Sequence, residues 1–166
     1  GLCYPPHEVK YEQSIVAPAV NYLFQLYELT GKILYLEEGK KQLAVLVLFN
    51  GHQPDFHMYE NAVRHWDGYW FGKYKNLGDT FPHYWSSLSG VAFREYEKIT
   101  GERSYGVKAE NSLRGVLSMI NSDGSASCAY VYPFMVNNVR CQYADPWAND
   151  QDWALYYYLK EGKNYD

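Results

Sequence analysis

Leu26-Tyr-Glu-Leu-Thr-Gly31 and Tyr96-Glu-Lys-Ile-Thr-Gly101 are one pattern written twice, 70 positions apart (96 − 26). At the same offset Tyr35 meets Tyr105, Leu43 meets Leu113 and Leu46 meets Val116. Repetition at a fixed offset is the signature of stacked supersecondary units. Upstream of the first copy, Ile15, Ala19, Tyr22, Leu23, Leu26 and Leu29 fall at three- and four-residue steps, which predicts an amphipathic helix from Ser14 to Leu29. Ser14 is its expected N-cap, Pro18 falls in the first turn, and Thr30-Gly31 supplies a left-handed stop. A second helix is expected from about Tyr35 to Phe49, with Leu36, Leu43, Leu46 and Val47 on one side and Asn50-Gly51 ending it. Together they predict a helical hairpin over about residues 14–50.

The second copy predicts helices over Pro82–Ile99, with Pro82 in a first turn, and Tyr105–Ile120, a hairpin over about 82–120. A third, incomplete copy supplies one helix over about 148–160. The fold class is therefore all-α, built of helical-hairpin repeats in a single domain spanning 1–166. The connections 51–81 and 121–147 are far longer than bundle loops usually are, which marks them as functional or separately structured. Within them Tyr69–Tyr74 and Ala129–Val136 are expected either to pair locally as short strands or to wrap over helix ends. Two and a half hairpins do not bury both faces of every helix, so the chain is expected to be completed by the remainder of a larger chain or by a second copy.

Composition narrows the function. Tyr 18, Phe 7 and Trp 5 make 18% of the chain aromatic, more rings with polar tips than a core of this size requires, and this points to wet aromatic clefts. Fifteen Lys and Arg against 19 Asp and Glu leave a formal charge of −4, which offers no footprint for nucleic acid. No apolar run reaches membrane-spanning length and no basic-then-apolar leader opens the chain, so no membrane partner is expected and a cytoplasmic location is slightly favoured. Cys3, Cys128 and Cys141 are read as reduced thiols, with one Cys128–Cys141 bridge as the alternative. His52-x-x-Asp55-x-His57 fits no closed zinc site, so no metal or other cofactor is expected.

The Thr-Gly corners, each followed by a tyrosine-bearing helix, over Tyr27–Leu36 and Tyr96–Gly106, together with the loops Arg64–Gly72 (RHWDGYWFG), Gly78–Trp85 (GDTFPHYW) and Tyr143–Trp153 (YADPWANDQDW), resemble the six-hairpin glycosidases. That resemblance implies an incomplete (α/α)6 toroid, in which the loops ahead of the inner helices line a cleft for an oligosaccharide or polysaccharide. The implied activity is glycoside hydrolysis by loop carboxylates.

Glycosidic hydrolysis needs one carboxyl to protonate the leaving oxygen and, in inverting enzymes, a second to activate water. Asp79 and Asp145 are the first candidates because each lies just ahead of a helix that the repeat makes equivalent; helix N-capping is the competing role for both. Asp67, enclosed in His65-Trp66-Asp67-Gly68-Tyr69-Trp70, is the third, and Asp-Gly is equally a turn signal. Trp66, Trp70, Trp85 and Trp147 are expected to stack on sugar rings, with His65, His83 and Tyr84 assisting. A uronate-directed polysaccharide lyase is the alternative: it needs His or Tyr, here His83 or Tyr84, to remove the proton α to a carboxylate, and a cation such as Arg64 or Arg140 to hold the enolate. A non-catalytic glycan-binding or packing domain is the second alternative.

Overall fold

The computed structural model describes residues 13–47, 52–53, 56–57, 79–83, 85–126, 129–132, 135–136, 139–140 and 151–161. Helix α1 (Gln13–Thr30) and α2 (Ile33–Val47) form the first hairpin; α3 (Ser86–Thr100) and α4 (Arg103–Gly115) form the second; α5 (Gln151–Glu161) follows. A 3₁₀ turn over Val116–Met119 extends α4. Short two-stranded antiparallel ribbons occupy the connections: β1 (His52–Gln53) with β2 (Phe56–His57), β3 (Asp79–His83) with β4 (Ala129–Tyr132), and β5 (Met135–Val136) with β6 (Val139–Arg140).

The repeated hexapeptide folds into the same corner twice. Gly31 and Gly101 adopt φ of 66° and 73°, a region costly to residues with a Cβ, and their N–H groups donate to Tyr27 O and Glu97 O, each at 2.7 Å. The preceding threonine hydroxyls donate back one turn, Thr30 to Leu26 O at 2.6 Å and Thr100 to Tyr96 O at 2.7 Å. Each hydroxyl oxygen then accepts from the residue just ahead of the next helix, from Lys32 N at 3.3 Å and Glu102 N at 3.2 Å. Helix reversal thus takes two residues, which holds the paired helices antiparallel and close.

Close approach is visible at the glycines that face a partner helix. A Cβ built on Gly39 of α2 would strike the Phe24 ring of α1, and one on Gly90 of α3 would lie 2.7 Å from Leu113 Cγ of α4. Phe24, Leu43, Leu46, Phe93 and Leu113 are fully buried, each contributing about 1.5–3 kcal/mol of apolar burial. Between hairpins α3 is central, packing against α1 on one side and α5 on the other. The α1–α3 seam carries a ring contact of Phe24 with Tyr96 at 5.7 Å; Tyr96 also meets Tyr105 edge-on at 4.7 Å and lies under the Lys40 ammonium at 5.8 Å. Hydrogen bonding to Tyr96 holds the Lys40 ammonium above the usual lysine pKa, while burial pushes the Tyr105 phenol up. Lys98 of α3 bridges Glu95 and Glu161, both at 2.7 Å, tying in the end of α5.

Arg94 is 4% exposed and spans Glu97 at 2.6 Å and Glu110 of α4 at 3.1 Å. Gly106 lies against the Glu97 carboxylate, where any side chain would displace it. This charged joint lies beside an open groove of about 430 Å³ lined by Arg103, Val107 and Arg114 as well as Gly106 and both glutamates.

Several element bounds depart from the sequence expectation. Helix α1 already contains Ser14, so the expected N-cap lies inside the helix. Helix α2 begins at Ile33, ahead of the expected Tyr35, and α5 begins at Gln151. Most informative is α3, which starts at Ser86; Pro82 belongs to β3. Thr80 pairs with Val131 and His83 with Ala129, so β3 carries one extra residue between them, and Pro82, without an N–H to donate, falls in that irregularity. Ala129–Tyr132 pairs with this distant strand and not with its neighbour in sequence, whereas Met135–Val136 does pair locally. Tyr69–Tyr74 lies outside the described residues.

Replacing Gly31 by Ala should cost about 1–2 kcal/mol, because an added Cβ meets nothing within 4 Å and the whole penalty is the left-handed backbone. Replacing Arg94 by Ala should cost more, about 3–5 kcal/mol, since it removes the buried cation that the Glu97 and Glu110 carboxylates share. Urea denaturation of both variants checks the ranking; equal or reversed losses would contradict it.

Candidate functional site

Asp79 and His83, two of the expected site residues, open and close β3, the strand that leads into the central helix α3. The antiparallel register sets Asp79 across from Tyr132 and His83 across from Ala129. Because β3 carries one extra residue between Thr80 and His83, positions 79 and 83 fall at opposite parity in the ladder. Sequence reading missed this partnership, since its second strand lies some fifty residues downstream and no local periodicity announces it. The ribbon nevertheless joins the two long aromatic connections at one place, immediately before α3.

Trp85 occupies the N-cap position of α3 with helical φ and ψ of −66° and −10°, is half-buried, and makes no side-chain cap to the helix. Its carbonyl accepts from Leu88 N at 3.0 Å. The first turn that follows holds no acidic residue, and Ser86, Ser87 and Ser89 are all fully buried. An N-terminus of this kind carries a partial positive charge and favours anions, whether side-chain or ligand. The serine run could have been flagged from sequence as a small polar patch after a tryptophan, but placing the helix start at Pro82 put these residues in a second turn.

Asp79 lies seven positions before Ser86 and in extended backbone, so it does not stand at the N-cap of α3 and the capping role expected for it is corrected. Asp67, Asp145, His65, Trp66, Trp70, Tyr84 and Trp147 lie outside the described residues, as do Arg64, Asp150 and the Cys128–Cys141 pair. Asp152 falls in the first turn of α5, and Arg140 ends β6. His52 and His57 pair across the β1–β2 ribbon. Among the described residues no three His, Cys, Asp or Glu side chains gather to hold a metal ion, and no helix is long and apolar enough to cross a membrane.

A solved structure described as a polysaccharide lyase is 56% identical to this chain, superposing with a TM-score of 0.72 over 94% of it. The chain spans 23% of that lyase's length. No family model and no curated protein matches the chain.

Asp79→Asn should leave thermal stability within about 0.5 kcal/mol of the parent, the range of substitutions that break no cap. A thermal melt showing the loss of about 1 kcal/mol typical of a removed N-cap would contradict the extended placement of residue 79.

Proposed function

We propose that the chain is a section of a carbohydrate-active enzyme that depolymerises a uronate-containing polysaccharide by elimination. The observation that carries this reading is the 56% identity to a polysaccharide lyase over 94% of the chain. It favours elimination over the hydrolysis that the loop carboxylates suggest, while leaving the glycan cleft and the helical-toroid setting in common. The likeness to a six-hairpin glycosidase is then a likeness of scaffold, since the same kind of helical array serves both chemistries.

In elimination a base removes the proton α to the uronate carboxylate, the electron pair forms the new ring double bond, and the bond to the leaving oxygen breaks as that oxygen takes up a proton. His83 and Tyr84, at the junction between β3 and α3, are the candidates for the base and for the proton donor. The N-terminus of α3 supplies the positive end of a dipole for a carboxylate, and Arg64 and Arg140 are the candidate cations that would hold the enolate. Trp66, Trp70, Trp85 and Trp147 serve as stacking platforms. On this reading Asp67, Asp79 and Asp145 orient hydroxyl groups or the basic side chains and do not attack the sugar. The catalytic cleft is completed by further chain around these hairpins.

The test is incubation of the complete polypeptide with uronate polysaccharides while following ultraviolet absorbance from the unsaturated product. Absorbance should rise in step with new reducing ends, and His83→Ala should lower kcat by a factor of about 10² or more, the usual range for a lost general base. New reducing ends without absorbance would establish hydrolysis instead, and binding with neither signal would establish a glycan-binding domain.

A further inference from the structure

Helix α1 is apolar on two sides. Over its 18 residues it bears one charged side chain, Glu28. One stripe, Val16, Ala17, Val20 and Phe24, is buried in the core. The other runs along Pro18, Tyr22, Leu26 and Leu29 at three- and four-residue steps; Tyr22 is 61% exposed and Leu29 81%. Ile33 and Leu34 at the start of α2 extend it, at 58% and 57%. Apolar stripes on two sides suit a helix packed on both, and a contiguous apolar stripe of this length marks an interface.

The internal repeat states what covers it. At the 70-residue offset, Pro18, Tyr22, Leu26 and Leu29 correspond to Leu88, Ala92, Tyr96 and Ile99 of α3. Those positions are covered: Ala92 is fully buried, Tyr96 is 3% exposed, and Leu88 and Ile99 pack against the core. The cover on that side of α3 is the preceding hairpin, through Phe24 of α1 and Lys40 of α2. The same stripe is thus buried by a hairpin in one repeat and, apart from half-buried Leu26, exposed in the other.

We infer that the Pro18–Tyr22–Leu26–Leu29 stripe of α1 seats a further helical hairpin of the same polypeptide, docked on α1 as the first hairpin docks on α3. The occupant presents an aromatic or aliphatic side chain to Leu26, as Phe24 does to Tyr96, and an outer helix near the Ile33–Leu34 corner. A source within the polypeptide is favoured over a second copy because the lyase matched at 56% identity extends far beyond the 23% of its length that this chain spans. The seat is required by burial alone, whichever reaction the enzyme performs.

Two measurements on the complete polypeptide test it. Hydroxyl-radical footprinting of the unmutated protein should modify Tyr22 at least about tenfold more slowly in the native than in the denatured state, as for a residue exposed only by local opening. A benzophenone side chain placed at Tyr22 should, on irradiation, cross-link within one molecule to a peptide outside residues 1–166. Native-state modification of Tyr22 at the denatured rate would overturn the seat. So would an adduct to residues of this same chain, and a cross-linked dimer would assign the stripe to a second copy and overturn the intramolecular occupant.

Discussion

Everything in this fold hangs on the tight reversal at each Thr-Gly corner. A helix can turn back on itself this tightly only where one residue accepts the left-handed backbone and the freed carbonyls find donors. Glycine provides the first at φ of 66° and 73°, and the threonine hydroxyl with the glycine N–H provides the second. With a reversal so short, the partner helices pack along most of their length, and glycines at 39, 90 and 106 let them close to side-chain contact. Successive hairpins then align their first helices side by side, α1 on α3 and α3 on α5.

That geometry links scaffold to chemistry. Loops of this length have little reason to exist on a bundle unless they build a site. The β3–β4 ribbon joins both long connections ahead of α3, where Asp79, His83 and Trp85 cluster in sequence and the N-terminus of α3 follows without a side-chain cap from Trp85. In the function proposed above, this is where rings for stacking and a helix dipole would meet the carboxylate of an anionic sugar polymer.

How much of this was legible in the residues depends on the range of the interaction involved. The corner is local, so a repeated Thr-Gly at a fixed offset discloses it, and the structure gives both copies the same hydrogen bonds. The periodicity of α1 is also local, but it picks out Ile15, Ala19, Tyr22, Leu23, Leu26 and Leu29, whereas the side chains buried in the core are Val16, Ala17, Val20 and Phe24: with apolar residues on two sides, spacing alone does not choose the face. The start of α3 was misread because Pro82 suits a first helical turn as well as a strand irregularity, and only pairing with Val131 and Ala129, far along the chain, decides between them. Arg94 was invisible for the same reason: its partners Glu97 and Glu110 belong to two helices, and nothing in the local sequence says that the charges will be buried. For Asp79, a first catalytic candidate, position in the chain also offered helix capping as the competing role, which its extended backbone removes.

The most direct test of the account is a crystal structure of the complete polypeptide holding a uronate oligosaccharide. The sugar chain is expected at the N-terminal end of α3, crossing beside the Asp79–His83 strand and Trp85, with a carboxylate turned toward the first turn of that helix. An oligosaccharide bound at the Thr-Gly corners, at the opposite end of the hairpins, would contradict it.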